Sequence, residues 1–204
     1  MTKSFLLPIF PLSGVIFYPN TNLPLNIFED RYLEMIDYAL SRDKAIGMIQ
    51  SMDNDKLYKV GCFGKITSFD ETEDGRYIIN LTGKNYFNIT KELHSSKKFR
   101  IVEAVINKEG ENLDLKFDMN KFNKDLLIDN YCLLIKKVSP EINLSFIDKI
   151  EPITLIKYMA MSCPFSSADK QMLLETFNLN DLSNKLLTLF DFYLTKENNN
   201  ISIN

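Results

Sequence analysis

LPIFPLSGVIFYPNTNLPLNIFEDRYLEMIDYAL, residues 7–40, opens with two short apolar runs, each carrying a proline, Pro8 and Pro24. Proline has no amide hydrogen to give a ladder, so these runs are expected at sheet edges or strand starts. The SGVIFYPN segment between them, with Gly14 and Pro19, reads as a loop. The period then changes. Tyr32/Leu33, Met35/Ile36 and Ala39/Leu40 recur at intervals of three and four, which predicts one apolar face of a helix over about residues 29–42.

The residues that follow return to strand character. AIGMIQ (45–50) is a continuous apolar run suited to a buried strand. GCFGKITSF and RYIINLTG flank the polar turn DETEDG, in which Gly75 supplies the positive φ of a tight hairpin. Alternation places Ile66, Tyr77, Ile79 and Leu81 inward, and NYFNITKEL and FRIVEAVI continue the pattern. Four or more antiparallel strands close most cheaply into a barrel, because closure removes free edges. From Met119 onward helical spacing takes over. Leu127, Tyr131, Leu134 and Val138 form a stripe that Leu126 and Leu133 widen. Pro152 opens a second helix that stops before Pro164, Ser166 and Asp169 form a capping box, and Asp181 is expected to cap the last helix. The Asn-rich end, KENNNISIN, is expected to be disordered. The predicted fold class is α+β, with an antiparallel β-barrel lobe over 1–115 and a helical lobe over 116–204.

Composition narrows the chemistry. The chain has 204 residues, 45% hydrophobic and 25% charged, enough for one large or two small cores. Its 24 Lys and Arg against 27 Asp and Glu leave a charge of -3, so no overall basic field attracts nucleic acid or anionic lipid. One His and three Cys (Cys62, Cys132, Cys163), none in a CxxC pair, give no metal or disulfide framework. The broken apolar start and the lack of an 18-residue apolar run point to a cytoplasmic protein without a membrane partner. Gly64-Lys65 and Gly83-Lys84 lack P-loop spacing, and no cofactor motif is present. His94 and the KKFR run, Lys97 to Arg100, read as solvated loop. Ser41/Lys44, Ser95/Lys98 and Ser167/Lys170 share a Ser-x-x-Lys spacing too permissive to carry a nucleophile assignment. No catalytic residue is expected.

The ordered motifs Leu7-Pro8, Phe10-Pro11-Leu12, Pro19, Leu23-Pro24-Leu25, Phe28-Glu29 and Arg31-Tyr32 resemble the amino-terminal signature of the Lon protease substrate-binding domain family. Ile46–Ile49, VGCFGKI, DGRY (74–77), LTGKNYFNI and MSCPFSSADKQMLLE extend the resemblance over nearly the whole chain. Gly83-Lys84-Asn85 departs from it, since the family usually has Arg before the aromatic. The resemblance implies a PUA-like barrel followed by helices. It also implies the recognition part of a Lon protease without the AAA+ and peptidase modules, hence a stand-alone, non-enzymatic binder of unfolded or exposed apolar polypeptide segments. A protease or chaperone would be a natural further partner, in an adaptor or quality-control role. An RNA-binding barrel is the alternative, against which the acidic balance argues.

Two sets of residues follow. Pro11, Pro24, Phe28, Glu29, Arg31, Tyr32 and Gly75 belong to the family signature and are expected to be structural, with Glu29 and Arg31 tying the helix start to a neighbouring loop. Phe17, Tyr18, Met48, Met52, Met159 and Met161 are the candidates for apolar peptide contact, on composition alone.

Overall fold

The computed structural model describes residues 3–200, the side chains of Asp53 and of 196–200 excepted. The chain forms two compact units, Met1–Glu111 and Asn112–Asn204. The first unit holds strands β1 (Phe5–Pro11), β2 (Asn22–Ile27), β3 (Ala45–Ile49), β4 (Val60–Glu71), β5 (Tyr77–Leu93) and β6 (Arg100–Ile106), with helix α1 (Asp30–Leu40) between β2 and β3. The sheet order is β2-β5-β4-β3-β1-β6, and a further β5–β6 pairing closes the last five strands into a ring. Its centre is apolar, with Leu7, Ile9, Ala45, Ile49, Phe87, Val102 and Ala104 buried together. Tyr32, Met35, Ile36 and Ala39 are the buried face of α1, as the period predicts.

Two expectations are corrected here. The ring is not wholly antiparallel, because β1 runs parallel to β3, and residues 12–44, with β2 and α1, make the crossover that a parallel pair requires. Pro8 lies inside β1, opposite Ile101 of β6, and not at an edge. The ladder to β3 begins only at Ile9, so at Pro8 the strand has one partner and the missing amide hydrogen is tolerated. Pro24 does sit on an edge strand, since β2 pairs with β5 alone.

The strand β5 serves three neighbours. Register shifts at Phe63/Gly64 and Ile66/Ser68 against β4, and at Ile89/Lys91 against β6, mark where it curls from one to the next. Gly83 admits a close approach in mid-strand: a Cβ there would strike the Tyr18 carbonyl. Gly83 instead donates to the Thr21 carbonyl at 2.9 Å and accepts from the Asn20 amide at 3.1 Å. These bonds pin the loop that carries Phe17 and Tyr18 into the core, where they are 1% and 0% exposed. At the β4–β5 turn Gly75 has φ 79°, its amide donates to the Thr72 carbonyl, and Thr72 pairs with Arg76, a three-residue hairpin loop with a left-handed last position. The pairing of β3 with β4 ends at Lys65, and Thr67–Glu71 are all exposed, so the outer edge of β4 is open over this stretch.

The second unit comprises α2 (Lys124–Val138), α3 (Pro152–Ser162), α4 (Ser167–Leu174) and α5 (Leu179–Asn200), with short 3-10 turns before α2 and α3. The buried face of α2 is Leu127, Ile128, Tyr131, Leu134 and Ile135, whereas Leu126, Leu133 and Val138 are exposed. The stripe widens on the isoleucine side and not on the leucine side as expected. Leu179, Leu182, Leu186 and Phe190 bury one face of α5. Lys157, on α3 and 2% exposed, is paired with Asp114 at 2.6 Å, which compensates a buried ammonium. Ser166 caps α4 by accepting from the Asp169 amide at 3.1 Å. The cap of α5 is Asn178, whose Oδ1 accepts from the amides of Asn180 and Asp181; Asp181 itself is the third residue of the helix, in its first turn, and not the expected cap. The disorder expected over 196–204 is corrected for 196–200, whose backbone continues α5 to Asn200, while 201–204 lie outside the described residues. No described helix is long and apolar enough to cross a membrane.

Five substitutions test this architecture. Gly75→Val places a β-branched residue at φ 79° with no gain in packing, so chemical denaturation should show a loss of about 1–2 kcal/mol, while Glu73→Ala stays within about 0.5 kcal/mol. Among the described residues the buried Tyr18 hydroxyl has no hydrogen-bond partner, so Tyr18→Phe should be neutral or stabilise by up to about 1 kcal/mol. Asn178→Ala should cost about 1 kcal/mol and Asp181→Ala less, an order that would reverse were Asp181 the cap.

Candidate functional site

Beyond Ile49 the chain folds into a tight excursion before β4. Ser51 pairs with Leu57, the Met52 amide donates to the Lys56 carbonyl at 2.6 Å, and Asn54 and Asp55 take φ of 61° and 59° at the tip. Tyr58 donates to the Gln50 carbonyl, and the Ile89 amide donates to the Lys59 carbonyl at 2.9 Å. Among the described residues that backbone bond is the last between this segment and β5. Past it, residues 56–59 and 89–92 separate, and Arg100 at the start of β6 joins them again. Its Nε and a terminal nitrogen donate to the Glu92 carboxylate at 2.6 and 2.7 Å, and the other nitrogen donates to the Asp55 carbonyl at 3.0 Å. The two-toothed bond from Arg100 holds the Glu92 carboxyl below its ordinary range.

The gap between the two segments is a cavity of about 480 Å³. Half-buried Leu57, Tyr58 and Ile89 give its apolar lining, and exposed Lys56, Lys59 and Lys91 give the charged lining. A second cavity of about 420 Å³ shares Asp55 and Arg100 with the first and adds Pro11, Arg31 and Ser51. The two form one cleft, with five cations (Arg31, Lys56, Lys59, Lys91, Arg100) against two carboxylates (Asp55, Glu92).

The signature residues explain how Arg31 comes to this cleft. Its guanidinium lies 4.5 Å from the centre of the Tyr32 ring, and that ring packs 4.2 Å from Phe10 of β1. Burial raises the Tyr32 hydroxyl above its ordinary value. Glu29 accepts from Arg31 at 2.8 Å, so the two pair with each other and not with a neighbouring loop as expected. Phe28 is exposed, and Pro24 and Gly75 do not line the cleft.

The six apolar candidates are not brought together. Phe17, Tyr18, Met48 and Met159 are core residues, Met161 is half-buried, and Met52 alone is exposed, next to Ser51 of the cleft. The cationic lining escaped the sequence reading because Lys56-x-x-Lys59 and Lys91 lie more than thirty positions apart. Within KKFR, Phe99 is buried, Lys97 lies 3.7 Å from Glu34, and only Arg100 reaches the cleft. Elsewhere Lys170 is buried, donates to the Met161 carbonyl at 3.1 Å and is lowered by desolvation, while burial pushes the Cys163 thiol up, away from nucleophilic chemistry.

Among curated proteins, the chain is 24% identical over 198 residues to the Lon protease of Buchnera aphidicola subsp. Baizongia pistaciae, covering 91% of this chain and 24% of that protein. It is 25% identical over 190 residues to Lon protease 1 of Bacillus subtilis, covering 89% and 24%. The chain thus spans about a quarter of the length of these relatives. Among solved structures, a Lon N-terminal domain protein from Xanthomonas campestris superposes with a TM-score of 0.64 at 19% identity, covering 90% of this chain and 98% of that one. The N-terminal domain of Mycobacterium avium complex Lon protease gives a TM-score of 0.64 at 16% identity, covering 92% and 98%. The family model of the ATP-dependent protease La (LON) substrate-binding domain matches residues 6–191, and the chain belongs to that family.

Proposed function

We propose that the chain is a non-catalytic polypeptide-recognition module that engages unfolded or exposed segments of other proteins. The observation that carries this reading is the match to the LON substrate-binding domain over residues 6–191, nearly the whole chain. The chemistry of the cleft supports it. An open stretch of strand edge, apolar side chains and flanking charges suit an extended peptide. The finer role is that of an adaptor or quality-control factor in the cytoplasm, presenting clients to a protease or chaperone. A second reading is favoured by one observation. The cationic lining suits an anionic ligand, and RNA bound by the barrel unit would meet it.

A flexible peptide loses conformational freedom on docking, and a cleft of this size offsets that only in part, so affinities of about micromolar are expected. Purified protein titrated with a reduced, unfolded model polypeptide should bind it without consuming ATP, and mass spectrometry should find the polypeptide uncut. Tight RNA binding with no polypeptide binding would favour the second reading. Cleavage lost on substituting Ser41, Ser95 or Ser167 would make the protein an enzyme.

A further inference from the structure

We propose that the cleft selects acidic segments: the gap between residues 56–59 and 89–92 takes an extended peptide whose carboxylates meet Lys56, Lys59 and Lys91. This rests on the polypeptide-recognition reading and names its substrate class. The backbone comes first. The pairing of β4 with β5 ends at Val60 and Asn88, and the Ile89–Lys59 bond extends it by one residue. From there to Glu92, the edge of β5 that faces the gap has no strand beside it among the described residues, while its other edge is paired with β6. An inserted strand would find backbone groups to bond on a support already fixed by the ring.

The charges come second. Arg31 and Arg100 are each held by a carboxylate, Glu29 and Glu92. Among the described residues Lys56, Lys59 and Lys91 have no ion pair, and all three are exposed along the gap. This cationic strip stands on a chain of net charge -3, so it is a local feature and not part of a general basic surface. Leu57 and Ile89 provide an apolar lining between the lysines, which fits a segment where acidic and apolar residues alternate.

A nucleic acid fits this arrangement less well. Asp55 and Glu92 lie among the cations and would repel a continuous phosphate chain. Tyr58 is the one aromatic lining residue, where single-stranded nucleic acid needs successive stacking platforms. A peptide can place neutral residues opposite those carboxylates.

The test uses the full chain and fluorescence anisotropy with three labelled peptides of about ten residues, long enough to span the gap: alternating Glu and Leu, the same peptide with Gln for Glu, and the same with Lys for Glu. The Glu peptide should bind at least about tenfold more tightly than the Gln peptide, and the preference should shrink between about 50 mM and about 500 mM salt. Lys56→Glu, Lys59→Glu and Lys91→Glu together should transfer the preference to the Lys peptide. A control with the same charge change at exposed Lys65, Lys84 and Lys108 should retain the Glu preference. If the cleft triple variant melts early, the corresponding Lys→Gln triple replaces it and should abolish the preference. Equal binding of the Glu and Gln peptides, equal effects of cleft and control variants, or displacement of the Glu peptide by an RNA oligonucleotide at lower concentration would overturn the proposal. Continued binding of an unfolded model polypeptide in those cases leaves the recognition role standing, whereas loss of all polypeptide binding removes both.

Discussion

Backbone hydrogen bonding along Tyr77–Leu93 organises the first unit. A strand of this length has to find partners for its amides and carbonyls on both sides, and it finds them in β2, β4 and β6 by curling through register shifts. The ring closes because the strand that pairs with β4 over most of its course turns to meet β6 at its end. Its mid-strand Gly83 receives the loop that buries Phe17 and Tyr18, so the core is completed by residues with no regular secondary structure of their own. The cleft has the same origin. Turning toward β6 takes β5 away from the segment before β4, and the gap opens at that point of divergence.

The family signature gains a physical meaning in this setting. In FEDRY, residues 28–32, the tyrosine packs on Phe10, the arginine stacks on the tyrosine, and the glutamate holds the arginine. The motif therefore couples the first turn of α1 to β1 and places a guanidinium at the cleft wall beside Pro11. Its tyrosine is buried against β1, and its arginine lines a space that a ligand can enter.

Local patterns were legible in the sequence, and distant pairings were not. The period of α1, the β4–β5 hairpin with Gly75 and the capping box at Ser166 depend on neighbours within a few positions, and the residue types declare them. The parallel ladder of β1 with β3 joins segments more than thirty positions apart, so nothing around Pro8 signals that it belongs inside the ring. In α2 the runs Leu126-Leu127-Ile128 and Leu133-Leu134-Ile135 are apolar throughout, and spacing alone cannot tell which flank of the Leu127–Leu134 stripe turns inward. At the start of α5, Asn178 and Asp181 are both good capping residues only three positions apart, and residue type alone does not choose between them. The cleft was least legible. Two lysines precede β4, one lies near the end of β5, and an arginine begins β6, so their meeting is a property of the closed ring.

The open edge of β4 at Thr67–Glu71 bears on behaviour in concentrated solution. A ring that has used up most of its edges keeps this one free, and Asp70 and Glu71 stand on it with Glu73 and Asp74 in the adjoining turn. Two copies meeting edge to edge would bring these carboxylates against their counterparts, so like-charge repulsion keeps the molecules apart. The protection is electrostatic and therefore reversible. Asp74, held by Arg76 and Thr72 at about 2, stays ionised far into acid. Salt screens that repulsion, so raised ionic strength lets two such edges approach most closely.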